Sequence, residues 1–168
     1  MSIGKRATAE TVLLPAECYT TAVSEGPLWP CPLCGREFAN RNQSHSCGRY
    51  GLARYLDHAT PQVRAIFEGL WEMVRSLGPV KIAPAKTRVG FQVRMIFAAV
   101  QFRRDHLHAH VVLARTLQHP RFVKIERISP RNQVHHFELR SMEDLNEDVR
   151  AWLREAYAVG RQEHLARK

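Results

Sequence analysis

Residues 94–115 read RMIFAAVQFRRDHLHAHVVLAR and contain two long apolar runs separated by a short polar turn. In the second run, His106, His108 and His110 alternate with apolar residues, so one face of the segment is polar and the other apolar. A period of two residues is that of a β-strand with one buried face. The stretch therefore predicts two consecutive strands of an antiparallel sheet.

The strand-like pattern extends on both sides of this stretch, over residues 80–140. Prolines and clusters of polar residues divide the region into short segments, as turns between strands do. This spacing predicts an antiparallel meander of four to six strands. The predicted strands lie near residues 80–83, 88–93, 94–102, 107–115, 121–128 and 134–140.

Two helical segments flank the predicted strands. The first has Thr60 as its N-cap, followed by a proline in the first turn, and it ends at Gly78. The second begins at a sequence like a capping box, residues 141–144, and ends at Gly160. Apolar residues repeat at helical spacing in both segments. They are Val63, Ile66, Phe67, Leu70, Val74 and Leu77 in the first, and Leu145, Val149, Trp152, Leu153 and Ala156 in the second.

A cluster of cysteine and histidine residues precedes the first helix. The sequence WPCPLCGREF at residues 29–38 is followed by HSCG, so Cys31, Cys34, His45 and Cys47 have the ligand types of a closed tetrahedral zinc site. Three thiolates and one imidazole leave no open coordination position, so the predicted zinc is structural. The alternative is a buried cysteine cluster or a disulfide pair.

The last two ligands are separated by one residue, which distinguishes this motif from a DNA-binding finger. Residues at i and i+2 project to one side of an extended segment, not from one face of a helix. No recognition helix is therefore expected here. Cys18 lies outside the cluster and is interpreted as a small buried or free thiol.

Together these features predict an α+β fold: an antiparallel sheet of four to six strands flanked by two helices, with a small N-terminal zinc module. The chain has 168 residues, of which 45% are hydrophobic, enough for one well-buried core. The expected division is a loosely ordered arm at 1–28, the zinc module at 29–50, the α+β domain at 51–160 and a polar tail at 161–168.

Charge and hydropathy limit the environment and the partners of the chain. No apolar run approaches the roughly 18 residues of a membrane span, and the first residues lack the apolar stretch of a signal peptide. We therefore expect a cytoplasmic protein, a compartment that suits cysteines spaced for metal. The formal net charge of +9 permits binding to nucleic acid or another anion, although the arginines are scattered.

The order of these motifs resembles a bacterial family catalogued as domain of unknown function 5655. The resemblance rests on WPCPLCGREF, NQSHSCG, a helix ending in LGPV, AKTRVGFQ, RMIFAAV, a His-His pair before FELR, and WLREAYAVG. It extends from Trp29 to Gly160, and its most specific parts are the cysteine and histidine spacing and the closing helix. The resemblance implies no established activity.

A second group of residues is a candidate ligand site. The resemblance places a Lys-Thr pair, an arginine and a His-His pair at matching positions of the family pattern. A cation, a hydroxyl and an imidazole in one cleft would suit a phosphate or a carboxylate. The alternative is that these are solvated arginines and a histidine packed beneath a helix. The candidates are Lys86, Thr87, Arg94, His135, His136 and Arg140, with Arg88 beside them.

The three alternating histidines are a third candidate, because imidazoles on one face of a strand can bind a metal. The alternative is the polar face of an ordinary half-buried strand, since positions i and i+2 lie about 7 Å apart. We expect this strand to be metal-free.

No residues are identified as catalytic. The sequence has no nucleotide-binding glycine loop and no dinucleotide fingerprint, and no serine lies in a nucleophile motif. Enzyme is therefore the minority interpretation. The expected function is a binding or regulatory module for an anionic partner, with nucleic acid as one candidate. The alternative is a small enzyme or ligand sensor for a phosphorylated or carboxylated small molecule. A cleft would favour the alternative, and a flat basic face would favour the first.

Overall fold

The computed structural model describes residues 26–43, 45 and 47–165. The predicted thiol Cys18, most of the predicted arm at 1–28 and the last three residues of the predicted tail lie outside the described residues.

In the described part of the chain, six strands form one antiparallel sheet and two short strands form a second, which together with the helices confirms the predicted α+β class. The short strands pair within the N-terminal module, residues 29–50. The long strands follow one another along the chain. The strands are β1 (Trp29–Pro30), β2 (Glu37–Phe38), β3 (Lys81–Pro84), β4 (Val89–Gln92), β5 (Ile96–Phe102), β6 (Leu107–Leu113), β7 (Lys124–Ser129) and β8 (Asn132–Leu139).

The sheet departs from the predicted meander at one place. Its spatial order is β3-β4-β5-β6-β8-β7, so β8 pairs with β6 and β7 forms the edge. Burial explains why β8, and not β7, lies beside β6. The strand β8 carries the buried residues His135, Phe137 and Leu139, whereas no residue of β7 is buried. The strand with the apolar face takes the interior position, and the charged strand takes the edge.

The described residues form three α-helices, which are α1 (Ala53–Leu56), α2 (Pro61–Arg75) and α3 (Glu147–Gly160). The helix α2 begins as predicted, with the Thr60 side chain accepting a hydrogen bond from the Val63 amide at 3.3 Å. The start of α3 was predicted wrongly. The Ser141 amide donates to Asp144 Oδ2 at 3.0 Å, but this motif begins a short 3₁₀ turn, and Asn146 is the N-cap of α3.

Both long helices cover the same face of the sheet. On this face Phe91 packs against Trp71 of α2, with ring centroids 5.9 Å apart. A β-bulge in β5 turns Phe97 to the same side, where its ring meets Tyr157 of α3 at 5.5 Å. The buried core therefore lies between the helices and this face.

The N-terminal module packs on the opposite face of the sheet, called here the outer face. Gln92 lies on that face, next to the inward-facing Phe91, and its Nε2 donates to the backbone oxygen of Glu37 at 2.8 Å. Lys81 at the start of β3 pairs with the Glu37 carboxylate at 2.6 Å. Among the described helices, none combines the length and apolar character needed to cross a bilayer.

Candidate metal centre and the adjoining cleft

A tight turn between β1 and β2 carries the first two candidate ligands. The amide of Cys31 donates to the Arg36 oxygen, and the amide of Gly35 donates to the Cys31 oxygen, both at 2.8 Å. Gly35 has a φ of 71°, a left-handed conformation that glycine adopts without the strain of a Cβ. The turn directs Cys31 and Cys34 to the same point.

The four predicted metal ligands come together in the structure. The ligand atoms of Cys31, Cys34, His45 and Cys47 all lie within 4.8 Å of one another. The Cys31 and Cys47 sulfurs are 3.8 Å apart, and His45 Nε2 lies 3.3 Å from the sulfurs of Cys34 and Cys47. A tetrahedral site with metal–sulfur bonds of about 2.3 Å has sulfur–sulfur edges of about 3.8 Å. The group can therefore hold a metal ion.

The alternative of a disulfide does not fit this geometry. The three cysteines are free thiols, and the Cys31–Cys47 separation of 3.8 Å is far longer than a disulfide bond of about 2.05 Å.

The histidine of the cluster is oriented by the backbone. Its Nδ1 donates a hydrogen bond of 2.6 Å to the backbone oxygen of Gln43, so Nε2 faces the sulfurs. This contact also raises the pKa of His45. The ring packs on Phe38, with centroids 4.2 Å apart, and Phe38 is only 3% exposed. Such support fixes the tautomer and ring orientation that a metal ligand needs.

The thiols differ in their protonation when no metal is bound. Hydrogen bonds from the side chain and backbone of Arg36 lower the pKa of Cys34 to about 6. Burial, together with the neighbouring Cys31, raises the pKa of Cys47 to about 11. A metal binds the thiolate form, so binding would release the Cys47 proton near neutral pH.

A cleft of about 550 Å³ separates the N-terminal module from the outer face of the sheet. One wall is formed by module residues that include Arg36, Phe38 and His45. The floor is formed by the outer face of the sheet, where Gly90 lies beneath the space. The hairpin between β3 and β4, residues 85–88, forms the rim. One candidate metal ligand, His45, therefore lies in a wall of the cleft.

The cleft is cationic. Arg36, Lys86 and Arg88 line it together with the Thr87 hydroxyl, and none of its described lining residues is Asp or Glu. The hairpin is fixed by a hydrogen bond of 2.8 Å from the Ala85 amide to the Arg88 oxygen. Lys86 and Arg88 are exposed, and neither forms an ion pair with any carboxylate of the described chain.

The structure does not bring the remaining members of the predicted ligand site to this cleft. Arg94 donates to Gln162 Oε1 at 3.1 Å and to the Gly26 oxygen at 2.9 Å. Arg140 pairs with Glu138 at 2.6 Å, at the far end of β8. A ligand role for these two arginines stays a prediction.

The paired histidines face opposite sides of the sheet, because consecutive strand residues alternate. His135 is buried on the helix side, where its Nε2 accepts from the Leu117 amide at 3.0 Å and its ring packs on Phe122 at 4.9 Å. Burial lowers the pKa of His135. His136 lies on the outer face, with its Nε2 3.3 Å from Glu126 Oε2.

The three alternating histidines separate into different environments. His106 contacts Asp105 at 2.7 Å, whereas His108 Nε2 lies 3.2 Å from His136 Nδ1. His110 lines the cleft, and burial, with His136 nearby, lowers its pKa to about 3. It is therefore neutral at physiological pH. Within the described chain, only the cysteine and histidine cluster gathers three or more metal-ligating atoms this closely.

Comparison with known proteins identifies the family of the chain. The family described as Domain of unknown function (DUF5655) matches residues 53–160, which is more than half of the chain, so this protein belongs to that family. The matched region contains the six-stranded sheet and the three helices, and it begins after the N-terminal module. No curated protein and no solved structure shows significant similarity to the chain.

Proposed function

We propose that this protein is a cytoplasmic, zinc-stabilised binding protein whose cleft takes a small anionic ligand. The observation that carries the proposal is the cleft itself, which is lined by Arg36, Lys86 and Arg88 and by no described carboxylate. Its volume of about 550 Å³ is within the usual range for small-molecule sites.

The donor set supports zinc as the metal. Thiolates and imidazole are soft or borderline ligands, which favour zinc over magnesium or calcium. Four protein ligands fill a tetrahedral shell, so the ion would hold the module together and would not activate water. The reducing cytoplasm keeps such thiols available for metal.

The hairpin residues support an anion as the ligand. Lys86 and Arg88 place an ammonium and a guanidinium on one short turn, and Thr87 between them adds a hydroxyl. The turn is held from below by Tyr55, whose hydroxyl donates to the Ala85 oxygen. Charged donors of this kind bind phosphate or carboxylate oxygens strongly.

A second depression, of about 500 Å³, is a weaker candidate. It shares Arg36 with the cleft and is lined by Lys81 and Arg49, but also by Glu37. The Glu37 carboxylate already pairs with Lys81 at 2.6 Å, so one cation of this depression has an anionic partner, whereas Lys86 and Arg88 of the cleft form no ion pair within the described residues.

Nucleic acid is the second candidate ligand, because the chain carries a net charge of +9. The two candidates differ in how they respond to salt and to single substitutions. Affinity for a single strand falls with salt by about 0.7 of a counterion for each neutralised phosphate, and scattered arginines share the effect. A compact anion site depends on few residues.

Calorimetric titration of the metal-loaded protein with inorganic phosphate and with benzoate tests the proposal. We expect Arg88→Ala to weaken binding about tenfold or more, since a charged hydrogen bond contributes about 1.5–3 kcal/mol. The control is Arg75→Ala on α2, where the guanidinium pairs with Glu72 outside the cleft.

A labelled oligonucleotide, titrated at about 50 and 150 mM salt, separates the candidates. Steep loss of affinity with salt, and equal weakening by Arg75→Ala and Arg88→Ala, would favour nucleic acid. Absence of binding by phosphate, benzoate and the oligonucleotide at the lower salt concentration would contradict the proposed function.

A further inference from the structure

Two side chains of the cleft have buried acceptors without a partner. Gln43 Oε1 and Asn132 Oδ1 are covered from solvent, and neither accepts a hydrogen bond from the described residues. Both side chains line the cleft. An unpaired buried acceptor costs about 1–3 kcal/mol, so each amide would be stabilised by a ligand that supplies a donor.

The two amides come from opposite sides of the cleft. Gln43 belongs to the N-terminal module, next to His45, and Asn132 is the first residue of β8 on the outer face of the sheet. Both oxygens are covered in the structure, and the terminal torsion of an amide side chain is broad, so a donor on a bound ligand can turn either oxygen towards itself. A ligand between them would therefore meet an acceptor from each side.

The floor between the amides is apolar. Ile96, Val112 and Val134 line it, and Ile128 stands at the edge with 67% of its surface exposed. His110 completes this surface as a neutral imidazole, which can donate one hydrogen bond and accept one but carries no charge. Such a surface suits the flat face of a ring better than a fully hydroxylated sugar.

The cleft thus offers three kinds of contact in one space: cations at the rim, unpaired acceptors at the sides and an apolar floor. Inorganic phosphate would pair only with the cations. An aromatic phosphate without N–H or O–H donors on its ring would leave the oxygens of both amides without a hydrogen bond. A nucleobase supplies both a flat face and N–H donors. Building on the proposed function, we propose that the anionic ligand is a nucleoside phosphate, with its phosphate at Lys86 and Arg88 and its base between Gln43 and Asn132.

A phosphate group and a nucleobase occur together both in a free mononucleotide and in the terminal nucleotide of a nucleic-acid strand. Titration of the metal-loaded protein compares inorganic phosphate, phenyl phosphate and the four nucleoside 5′-monophosphates. We expect the best mononucleotide to bind at least about tenfold more tightly than phenyl phosphate, which corresponds to about one hydrogen bond. A trinucleotide with a 5′-phosphate distinguishes the sources, since tighter binding than the mononucleotide would indicate the end of a strand.

Two substitutions test the assigned contacts. Asn132→Leu and Gln43→Met remove an amide with little change in volume, so each should reduce mononucleotide affinity towards that of phenyl phosphate and leave phenyl phosphate binding unchanged. The melting temperature of Asn132→Leu should not fall, because the change removes an unpaired acceptor. Gln118→Leu, on an exposed loop residue outside the cleft, is the matched control. If Asn132→Leu fails to fold, Gln43→Met provides the same comparison.

The outcomes separate this inference from the proposed function. Binding of phosphate and phenyl phosphate with no preference for any mononucleotide would overturn the nucleoside assignment and leave the anion site intact. A preference that survives both substitutions would also overturn it. Failure of all these anions to bind would remove the anion site and the nucleoside assignment together.

Discussion

Gln92 Nε2 donates a hydrogen bond of 2.8 Å to the backbone oxygen of Glu37, and the Gln92 side chain is almost completely buried, with 5% of the residue exposed. The contact joins β4 of the sheet to β2 of the N-terminal module. Since the preceding residue, Phe91, packs against α2, two consecutive residues connect the helix layer and the module to opposite faces of one strand. The wall of the cleft is positioned by this strand.

The first prediction concerns that contact. Gln92→Leu leaves the Glu37 oxygen without its partner, so we expect the free energy of unfolding to fall by about 1–3 kcal/mol. Lys81→Ala is the comparison, because it breaks an exposed ion pair to the same Glu37 and should cost less than about 1 kcal/mol. Urea denaturation of the two variants measures the difference. Equal losses would show that the buried amide does not join the module to the sheet.

The second prediction is that the purified protein carries one zinc per chain. Cys34→Ser should release the metal and loosen the N-terminal module, whereas the α+β core, with its own buried cluster, keeps most of its secondary structure. His108→Ala is the control, and it should leave the metal content unchanged. Elemental analysis after purification without chelator, together with circular dichroism, measures both effects. Zinc content unchanged by Cys34→Ser would contradict the assignment.

The third prediction is a loss of stability below neutral pH. The pKa of His110 is about 3 in the folded protein against 6.5 for an ordinary histidine. Between these values the unfolded chain binds a proton that the folded chain does not bind, so the free energy of unfolding falls as the pH drops. One such group contributes at most about 1.4 kcal/mol per pH unit. Burial also lowers the pKa values of His108, His135 and His164, which adds to the same slope.

Denaturation at about pH 7, 6 and 5 tests this slope, because carboxylates stay ionised over that range. His110→Gln should flatten it. The charges near His110 are those of Arg88, His108 and His136, which oppose protonation, and Glu126, which favours it. Glu126→Gln should leave this slope unchanged, because a pKa of about 3 keeps the His110 ring neutral at pH 5 and above with or without the carboxylate. A pH profile identical in the wild type and His110→Gln would contradict the buried neutral state.

The fold could be predicted largely from local patterns. The two long helices and five of the six long strands follow from hydrophobic periodicity, because each pattern matches a face that the element buries; β7 buries no residue. The exchange of β7 and β8 could not be predicted from pairing of consecutive segments. The order depends on which of the two strands has the more apolar inward face. The inward face of β8 includes His135, a polar residue that is fully buried, so the sequence pattern does not reveal this face.

The candidate site was predictable in one part only. The candidate metal ligands lie within 17 residues of one another, from Cys31 to Cys47, so their types and spacing are enough to predict a metal site. The cleft is assembled from the module, the β3–β4 hairpin and β8, which are far apart in sequence. Nothing in the local sequence indicates that Asn132 and His110 line the same cleft as Gln43, since that depends on how the module packs against the sheet.

The last prediction tests which residue begins α3. The sequence resembles a capping box at Ser141, yet Asn146 Oδ1 accepts from the Val149 amide at 3.2 Å and also from Arg121 at 3.2 Å. Asn146→Ala removes the N-cap and the Arg121 contact, so it should lower the free energy of unfolding by about 1–2 kcal/mol. Ser141→Ala should cost less, because the Ser141 amide that donates to Asp144 Oδ2 is retained. Thermal and urea unfolding of both variants measure the difference, and a larger loss for Ser141→Ala would show that α3 depends on the earlier motif.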